Sequence, residues 1–333
     1  MPDYDRERTV AFHAVQTAAD LCQSVRDDLE GDVLEKDDRT PVTVADFGSQ
    51  AVICQALQTA FPDDPVIGEE DSSALRTDAH ANVRSRLLEE VQSHHPGADP
   101  ETVFDWIDHG TADEYSDRFW TLDPIDGTKG FVRGDQYAIA LALIVDGQPQ
   151  VAALCCPHLP HALDAEPPES RGQALLAVRG EGTVQTLLTP DTDAVPTPIH
   201  TSDTTEPSES RFCESFVSSH SSHSLAAKAG ERLGITADSI RIDSQAKYAV
   251  VARGEAEIYL RLPRPDSPDY TERIWDHAAG MLTVEAAGGT VTDMHGRPLD
   301  FTHGRLLAAN TGVVATNGPL HDEVIAALDA AQA

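Results

Sequence analysis

The feature that most constrains this sequence is an apolar run, residues 119–122, that ends in two closely spaced aspartates. The run is predicted to be a buried strand, and Asp123 and Asp126 follow it on either side of a Pro-Ile pair. At this spacing both carboxylates can turn to one side and offer the hard oxygen ligands that Mg²⁺ prefers, with the carbonyl of Ile125 as a third oxygen. The stretch therefore predicts a strand that delivers negative charge to a metal ion.

The residues that follow favour a phosphate at the same point. Gly127 allows a tight turn, and if a helix begins at Thr128, its free N–H groups would favour a phosphate oxygen. Taken alone, Asp-Pro and Asp-Gly are also ordinary turn dipeptides. The complete string is far more specific than either dipeptide.

As a whole, residues 119–131 resemble the signature of the metal-dependent, lithium-sensitive phosphomonoesterases, the inositol monophosphatase superfamily. The continuation through residues 133–138 is most similar to the 3'(2'),5'-bisphosphate nucleotidase branch of that superfamily. The resemblance extends along the chain from Lys36 to about Asn317.

The charge of the chain excludes several classes of partner. The sequence has 24 basic and 56 acidic residues among 333, a net charge of −32, and its only lysines are Lys36, Lys129, Lys228 and Lys247. Such an excess of acid repels nucleic acids and anionic membranes, and a polyanionic substrate must be met by local cations. Because molar salt would screen the self-repulsion, acidity combined with lysine depletion predicts a salt-rich cytoplasm. The alternative is a merely acidic mesophilic protein.

The five cysteines, Cys22, Cys54, Cys155, Cys156 and Cys213, are odd in number and include no C-x-x-C pair. They predict buried thiols in a reducing compartment rather than disulfides or a zinc site. The N-terminal residues lack an apolar signal region, and no run approaches the roughly 18 apolar residues that a membrane span needs. We therefore expect a soluble, cytoplasmic protein.

Two further acidic positions lie in the first part of the chain. Residues 6–30 have the apolar spacing of an amphipathic helix, and an extended segment then leads to Asp46, which opens a second helix as either its cap or a functional carboxylate. The short apolar run 65–67 ends in Gly-Glu-Glu-Asp, which is either a solvated loop or a second acidic strand end. This element resembles the family's second signature, in which a glutamate bridges to metal. We expect that glutamate to be Glu69, with Glu70 in reserve.

The order of the predicted elements indicates an α/β chain with two parts. Hairpins predicted over residues 137–155 and 173–188 indicate a mostly antiparallel sheet in an N-terminal α+β domain, residues 1–199, which would carry most metal ligands. The Thr-, Pro- and Ser-rich segment 189–210 is expected to lead into a C-terminal α/β domain, residues 200–333. That domain would carry the last metal ligand and substrate-binding residues.

In the second half, Ser244 and Lys247 lie three residues apart at a predicted strand-to-helix junction. Because lysine is so scarce in this chain, phosphate binding is favoured over a helix cap followed by a surface lysine. Arg261 lies within an apolar strand, where burial demands an anionic partner, either an internal carboxylate or a substrate phosphate.

Asp276 stands at the start of an alanine-rich helix and is either its N-cap or a third carboxylate of the metal site. Trp-Asp followed by small residues resembles the family's third signature, which favours the metal. His220 resembles the base or sugar contact of the nucleotidase branch. His223 competes for that role, and a plain polar loop is the alternative for both histidines.

The resemblance implies a layered α/β/α/β sugar-phosphatase-like fold with the site at the junction of the two domains. It also implies two or three Mg²⁺ ions, since so many carboxylates converge only if cations neutralise them. The expected ligands are Glu69, Asp123, the Ile125 carbonyl, Asp126 and Asp276.

The reaction that the resemblance implies is hydrolysis of the 3'-phosphate of adenosine 3',5'-bisphosphate to AMP and phosphate. Asp46, acting through the Thr128 hydroxyl, would take the proton of a metal-activated water. The substrate would be bound by Gly127, Thr128, His220, Ser244, Lys247 and Arg261. Ser244, Lys247 and Arg261 would hold the 5'-phosphate that is not cleaved.

We expect a monomer whose partner is this small nucleotide, with no nucleic acid or membrane partner. Li⁺ is expected to inhibit by occupying a magnesium position, although a cytoplasm dense in monovalent ions would require some tolerance. An inositol polyphosphate 1-phosphatase or a sugar bisphosphatase would use the same metals on another leaving group. A non-catalytic, metal-dependent nucleotide sensor is the alternative from a different functional class.

Overall fold

The structure is a computed structural model that describes residues 3–27, 33–35, 41–164, 171–188, 195–216, 223–264, 267 and 270–332. In that part of the chain no helix has the length and apolar character needed to cross a bilayer. The five cysteines are buried and unpaired, as predicted.

The first half contains five helices and nine strands in the described residues. The helices are α1 (Asp5–Arg26), α2 (Val44–Ala60), α3 (Ala81–His94), α4 (Pro100–Asp108) and α5 (Thr128–Arg133). The strands are β1 (Val33–Glu35), β2 (Pro41–Thr43), β3 (Val66–Gly68), β4 (Arg118–Asp126), β5 (Ala138–Val145), β6 (Gln148–Pro160), β7 (Arg171–Val178), β8 (Gly182–Leu187) and β9 (Thr197–Ile199).

The second half contains five strands and four α-helices in the described residues. Its strands are β10 (Phe212–Glu214), β11 (Ile240–Arg241), β12 (Ile258–Arg261), β13 (Thr290–Thr292) and β14 (Val313–Thr316). Its helices are α6 (His223–Leu233), α7 (Ala246–Ala252), α8 (Ala278–Ala286) and α9 (His321–Gln332). The sequence reading did not assign β14 or α9.

Two sheets organise the chain. The large sheet has seven strands in the order β3-β4-β5-β6-β7-β8-β9, and all neighbours are antiparallel except β3 and β4, which are parallel. The small sheet has five strands in the order β11-β10-β12-β14-β13. Because β3 and β4 run in the same direction, their carboxyl ends lie side by side, and the acidic segments that follow them are neighbours.

Successive side chains of β5 point to opposite faces of the large sheet, with large residues on one face and mainly alanines on the other. On β5, Ile139, Leu141 and Leu143 pack in the core beneath α1 and α2, whereas the alanines between them face the opposite core, shared with α7 and α8. This alanine-lined face allows α8 to pack closely on β6. The second core also receives side chains of the small sheet, and a third core lies between the small sheet and α6 and α9. The predicted layered architecture is confirmed, with α6 and α9 as its outer helical layer.

Neither of the two helix caps that the sequence left open as alternatives, Asp46 and Asp276, is an N-cap in the structure. The N-cap of α2 is Thr43, whose side chain accepts from the N–H of Ala45, and Asp46 is the third helical residue of a capping box. Asp276 is not the N-cap of α8, since that helix begins at Ala278 after His277. The N-caps are the neighbouring residues Thr43 and His277. Asp276 therefore lies outside α8, and only one oxygen of Asp46 takes part in the capping box.

Candidate active site

A bulge in β4 presents Asp123 and Asp126. The pairing of β4 with β5 shifts register between these two aspartates, so that Pro124 and Ile125 are left out of the ladder. Ser49 of α2 donates to the carbonyl of Pro124 at 2.9 Å and holds the bulge against the helix. Asp123 is 2% exposed, and its Oδ1 has no hydrogen-bond partner among the described residues.

The end of β3 brings Glu69 to the same cavity. Buried Gln50 accepts from the N–H of Glu70 at 3.0 Å and donates to the carbonyl of that residue at 2.5 Å, which fixes the backbone of the loop. A Cβ on Gly68 would lie 2.7 Å from Gln50 Oε1, so the amide reaches the loop only because residue 68 is glycine. Glu69 lines the cavity, whereas Glu70 is buried outside its lining. This placement supports Glu69 rather than Glu70 as the candidate metal ligand.

Asp46 and Thr128 are in contact. One oxygen of Asp46 accepts from both the N–H and the hydroxyl of Thr43, each at 2.7 Å. The other oxygen lies 3.2 Å from the Thr128 hydroxyl, which is also 3.2 Å from the carbonyl of Ile125. The capping box therefore orients Asp46 so that its second oxygen faces the Thr128 hydroxyl.

The turn before α8 adds Asp276 to the acidic residues. Glu69, Asp123, Asp126 and Asp276, here called the acidic cluster, all line one cavity of about 840 Å³. Burial raises the pKa of Asp123 well above its ordinary value, and the charges of Glu69, Asp126 and Asp276 raise it further. Burial likewise raises the pKa of Asp276 well above its ordinary value, with Asp126, Glu272 and Glu69 adding to the effect and Arg261 opposing it. Side chains that disfavour one another's negative charge in this way are close in space.

The donor set of the acidic cluster fits a hard divalent cation. Several carboxylates and the Ile125 carbonyl offer only oxygen, which matches the preference of Mg²⁺. The unpartnered Oδ1 of Asp123 is a buried acceptor that a cation would satisfy. Without a cation, the burial and mutual repulsion of these groups would be compensated only in part, by cationic side chains such as Arg261 and Lys247.

A second set of side chains supplies positive charge to the same cavity. Its seven cations are here called the basic set: Lys129, Arg133, Lys247, Arg261, Arg264, Arg273 and Arg305. The chain has only 24 basic residues in all, so seven in one cavity is a strong concentration. A cavity with this lining can attract an anion although the chain as a whole repels one.

Lys247 is buried deep in the cavity. It is 5% exposed, donates from Nζ to the Ser215 hydroxyl at 3.1 Å and lies 5.3 Å from the centre of the Tyr259 ring. Burial lowers the pKa of Lys247, and the charge of Asp126 opposes that shift. Lys247 is therefore not the surface lysine of the alternative interpretation.

Ser244 occupies a left-handed turn at the start of α7. Its φ is 67°, and its hydroxyl accepts from the N–H of Ala246 at 3.2 Å. The N-cap of α7 is Gln245, so Ser244 is not the helix cap of the alternative interpretation. Gly127, with φ 90°, lies opposite, and a Cβ there would come within 3.1 Å of Ser244 Cβ. The absence of a side chain at Gly127 lets these two turns meet at the cavity.

The partner of Arg261, which the sequence left open, is an internal carboxylate. Arg261 Nε donates to Glu272 Oε1 at 3.1 Å, and its guanidinium also lies 3.9 Å from Asp276 Oδ2. Glu272 contacts His277 at 3.2 Å, and His277 bonds in turn to the Tyr248 hydroxyl at 2.8 Å. Burial opposes ionisation of Glu272, but Arg261 and His277 together lower its pKa to about 2. Arg261 still lines the cavity and is held in a fixed orientation.

Glu272, Asp276 and His277 also lie close enough together to hold a metal ion. Both ring nitrogens of His277 already have protein partners, however, and the Arg261 guanidinium occupies one oxygen of Glu272. We therefore read this group as an ion-pair network.

Comparison with known proteins decides the family. The Inositol monophosphatase family profile matches residues 3–333. A 3'(2'),5'-bisphosphate nucleotidase from Emericella nidulans is 43% identical over 98% of this chain and 98% of its own length. The enzyme of that name from Schizosaccharomyces pombe is 42% identical over 97% of this chain and 95% of its own. The chain belongs to the inositol monophosphatase family. The resemblance expected from the sequence is confirmed.

Solved structures of the inositol monophosphatase family share the fold. Inositol monophosphatase from Anabaena matches with a TM-score of 0.63 at 21% identity, covering 99% of this chain and 97% of that one. CysQ from Bacteroides thetaiotaomicron, a bacterial member of the family, matches with a TM-score of 0.60 at 20% identity, covering 94% and 97%.

In this family member the structure brings together all the predicted site residues that it describes. His220 lies outside the described residues, as does the side chain of His223. The sequence reading missed several residues that support the site, among them Gln50, Ser215, Gln245, Glu272 and Arg305. Arg305 donates to the carbonyl of Gly68 at 2.7 Å and so joins the second half of the chain to the Glu69 loop. None of these residues belongs to a motif that the sequence analysis used, and their contacts join segments that lie far apart in the chain.

Proposed function

We propose that the chain is a Mg²⁺-dependent 3'(2'),5'-bisphosphate nucleotidase that hydrolyses the 3'-phosphate of adenosine 3',5'-bisphosphate to AMP and phosphate. The observation that carries the proposal is one cavity in which an acidic cluster adjoins buried cations. The relatives that bear this enzyme name at 42–43% identity over nearly the whole chain support the choice of substrate.

Glu69, Asp123, the Ile125 carbonyl, Asp126 and Asp276 would hold two or three Mg²⁺ ions. When bound, Mg²⁺ supplies a Lewis acid that lowers the pKa of water and stabilises charge on the phosphoryl and leaving oxygens. The protein contributes the fixed positions of these ligands, held by the β4 bulge and by Gln50.

The Asp46–Thr128 pair would move the proton. The Thr128 hydroxyl donates to Asp46 Oδ1, so its oxygen can accept a proton from the attacking water while its own proton passes to Asp46. The water oxygen then bonds to phosphorus, the bond from phosphorus to the ribose 3'-oxygen breaks, and that oxygen takes up a proton from solvent to give the 3'-hydroxyl of AMP. The N–H groups at Gly127 and Thr128 would contact the phosphate under attack.

The basic set would hold the rest of the nucleotide. Lys247, Arg261 and Ser244 would bind the 5'-phosphate, whose binding energy positions the 3'-phosphate for attack. The contact from Ser215 to Lys247 and that from Glu272 to Arg261 orient both cations before substrate arrives. His220 remains the predicted base or sugar contact.

Phosphate release from the purified enzyme in Mg²⁺ and high KCl tests this proposal. The panel consists of adenosine 3',5'-bisphosphate, inositol 1,4-bisphosphate and fructose 1,6-bisphosphate. We expect kcat/KM to be highest for the adenosine substrate. Preference for inositol or fructose bisphosphate would establish one of the two alternative phosphatases. Binding of the adenosine compound without phosphate release from any of the three would establish the nucleotide sensor.

We further propose that Li⁺ inhibits by occupying a magnesium position. The acidic cluster supports this, because its oxygen ligands also suit a small monovalent cation. The test is a Li⁺ titration of activity at fixed KCl and Mg²⁺, and a flat response would contradict it.

We also propose that the protein works as a monomer in a salt-rich cytoplasm. The net charge of −32 supports the habitat, because screening removes repulsion between surface carboxylates. We expect the unfolding temperature to rise between 0.1 M and 2 M KCl by at least several degrees, which is about 1–2 kcal/mol for a chain of this size. Light scattering at both concentrations tests the oligomeric state, and an unfolding temperature that is independent of KCl would contradict the habitat.

A further inference from the structure

Gln245 connects two acidic segments that come from different halves of the chain. Its backbone N–H donates to Asp126 Oδ2 at 2.5 Å, and its side-chain Nε2 donates to the carbonyl of Trp275 at 3.0 Å. Trp275 directly precedes Asp276. One residue therefore holds both the carboxylate of Asp126 and the peptide that carries Asp276.

The local backbone aims Gln245 at this junction. Ser244 adopts a φ of 67°, a left-handed conformation that serine rarely takes, and Gly127 opposite it leaves the room that this turn needs. The next residue then presents its N–H to Asp126 before α7 begins. A strained residue beside a functional cavity indicates that the geometry is held in place by the surrounding contacts.

The amide of Gln245 is not explained by stability alone. Gln245 is 2% exposed, and its Oε1 is buried with no hydrogen-bond partner among the described residues. An unpaired buried acceptor is costly, and an apolar side chain of the same length would fill the space without that cost. What only the amide provides is the donor to Trp275.

We propose that Gln245 is a positioning residue that sets the separation of Asp126 and Asp276 and thereby the affinity of the site for divalent cations. This inference rests on the proposed function, in which both carboxylates are metal ligands. Loss of the side-chain bond frees the Asp276 segment to shift relative to Asp126. Because groups that orient metal ligands strongly affect metal binding, such a shift weakens the site.

Gln245→Met tests the inference, since methionine keeps the length and the backbone N–H but removes the donor. Mg²⁺ binding is measured without substrate, by calorimetry and by the Mg²⁺-induced rise in unfolding temperature. We expect the Kd for Mg²⁺ to increase about 10–100-fold. An unchanged Kd would overturn the inference.

Gln185→Met is the matched control. Gln185 is also buried, at 3% exposure, and donates to the His161 carbonyl at 3.0 Å and to Gln173 Oε1 at 2.9 Å, but it does not line the cavity. We expect its Kd for Mg²⁺ to match that of the parent enzyme. An equal weakening in both variants would show a general packing effect and overturn the role of Gln245.

The Asp276→Asn background separates this inference from the proposed function. If Gln245 acts through Asp276, adding Gln245→Met there changes the Kd for Mg²⁺ less than twofold, whereas a full further loss overturns the inference. An unchanged Kd in Asp276→Asn alone overturns the metal role of Asp276 and this inference with it. Weakening in Asp276→Asn but not in Gln245→Met overturns only the inference.

Should Gln245→Met not fold, Gln245→Asn replaces it, because the shorter amide does not reach the Trp275 carbonyl. We again expect at least tenfold weaker Mg²⁺ binding. Parental affinity in Gln245→Asn would overturn the inference.

Discussion

In the acidic cluster, no protein group bonds to Asp123 Oδ1 among the described residues, and burial and repulsion raise the pKa of Asp123 and Asp276. In the basic set, by contrast, Arg261 is paired with Glu272, and Lys247 is bonded to Ser215. Under the proposed function, the first region would take up cations from solution to compensate its charge, whereas the central cations of the second are oriented in advance. This difference suits a cavity that takes up metal ions before a polyanionic substrate.

Neutralising the acidic cluster should have the largest effect and should separate activity from stability. Asp123→Asn removes a proposed metal ligand, so we expect kcat/KM to fall at least about 10³-fold. It also removes a buried unpaired charge, so we expect the free energy of unfolding in EDTA to rise by about 1–3 kcal/mol. Phosphate release and urea unfolding measure the two effects.

Asp105→Asn on the exposed face of α4 is the control for Asp123→Asn and should change neither quantity. If kcat/KM of Asp123→Asn stayed within tenfold of the parent value, the negative charge of Asp123 would not be required for activity. The proposed difference between the acidic cluster and the basic set would then be wrong.

Neutralising Glu272, the carboxylate partner of Arg261, should lower stability, whereas Asp123→Asn should raise it. Glu272→Gln leaves the largely buried guanidinium of Arg261 without its hydrogen-bonded carboxylate, with only Asp276 at 3.9 Å, and we expect a loss of about 2–4 kcal/mol in the free energy of unfolding in EDTA. In Glu285→Gln, the control, the lost partner Arg179 is more exposed, and we expect about 1 kcal/mol or less. Equal losses in the two variants would show that Arg261 is not held by Glu272 as the structure indicates.

Lys247→Ala tests what the basic set binds. Loss of a charge-assisted phosphate contact should lower kcat/KM for adenosine 3',5'-bisphosphate about 10–100-fold. The loss should be far smaller for 3'-AMP, which has no 5'-phosphate. Lys228→Ala, on the exposed face of α6, should affect neither substrate. Equal losses on both substrates would show that Lys247 does not contact the 5'-phosphate.

The two regions should also respond to pH with opposite signs in EDTA. The pKa of Asp123 and of Asp276 is raised above 3.8, so their contribution to stability is present below pH 3.8 and is lost as pH rises through the raised values. The pKa of Glu272 is lowered from 4.5 to about 2, so its contribution is present above pH 4.5 and is lost as pH falls toward 2.

Each pKa unit crossed should change the free energy of unfolding by about 1 kcal/mol. Excess Mg²⁺ should abolish the loss of stability that Asp123 and Asp276 cause as pH rises. It should leave unchanged the loss of stability that Glu272 causes as pH falls. Unfolding temperatures measured from pH 3 to pH 8 with EDTA or Mg²⁺ test this. Equal slopes above pH 4 in both conditions would mean that the acidic cluster does not take up Mg²⁺.

Local patterns alone indicated Asp123 and Asp126, which follow an apolar strand three residues apart. The segment of Glu69 also follows an apolar run, but the choice of Glu69 as a metal ligand rested on the family resemblance. Asp276 needed the family resemblance, because a carboxylate before an alanine-rich helix is equally a cap, and only the structure showed that α8 starts two residues later. The choice between a carboxylate and a phosphate as the partner of Arg261 also had to wait for the structure.

By itself the sequence determined the strand ends that carry acid, the scarcity of lysine and the α/β class, because each depends on neighbouring residues or on bulk composition. The layered architecture was implied by the family resemblance. Only the tertiary structure decided which polar groups hold those acids in place. Gln245 lies 119 residues from Asp126, and Gln50 lies 20 residues from Glu70 across a helix and a loop. Such contacts follow from how the two sheets and α7 and α8 pack. The sequence does not distinguish a glutamine that faces solvent from one that connects two acidic segments.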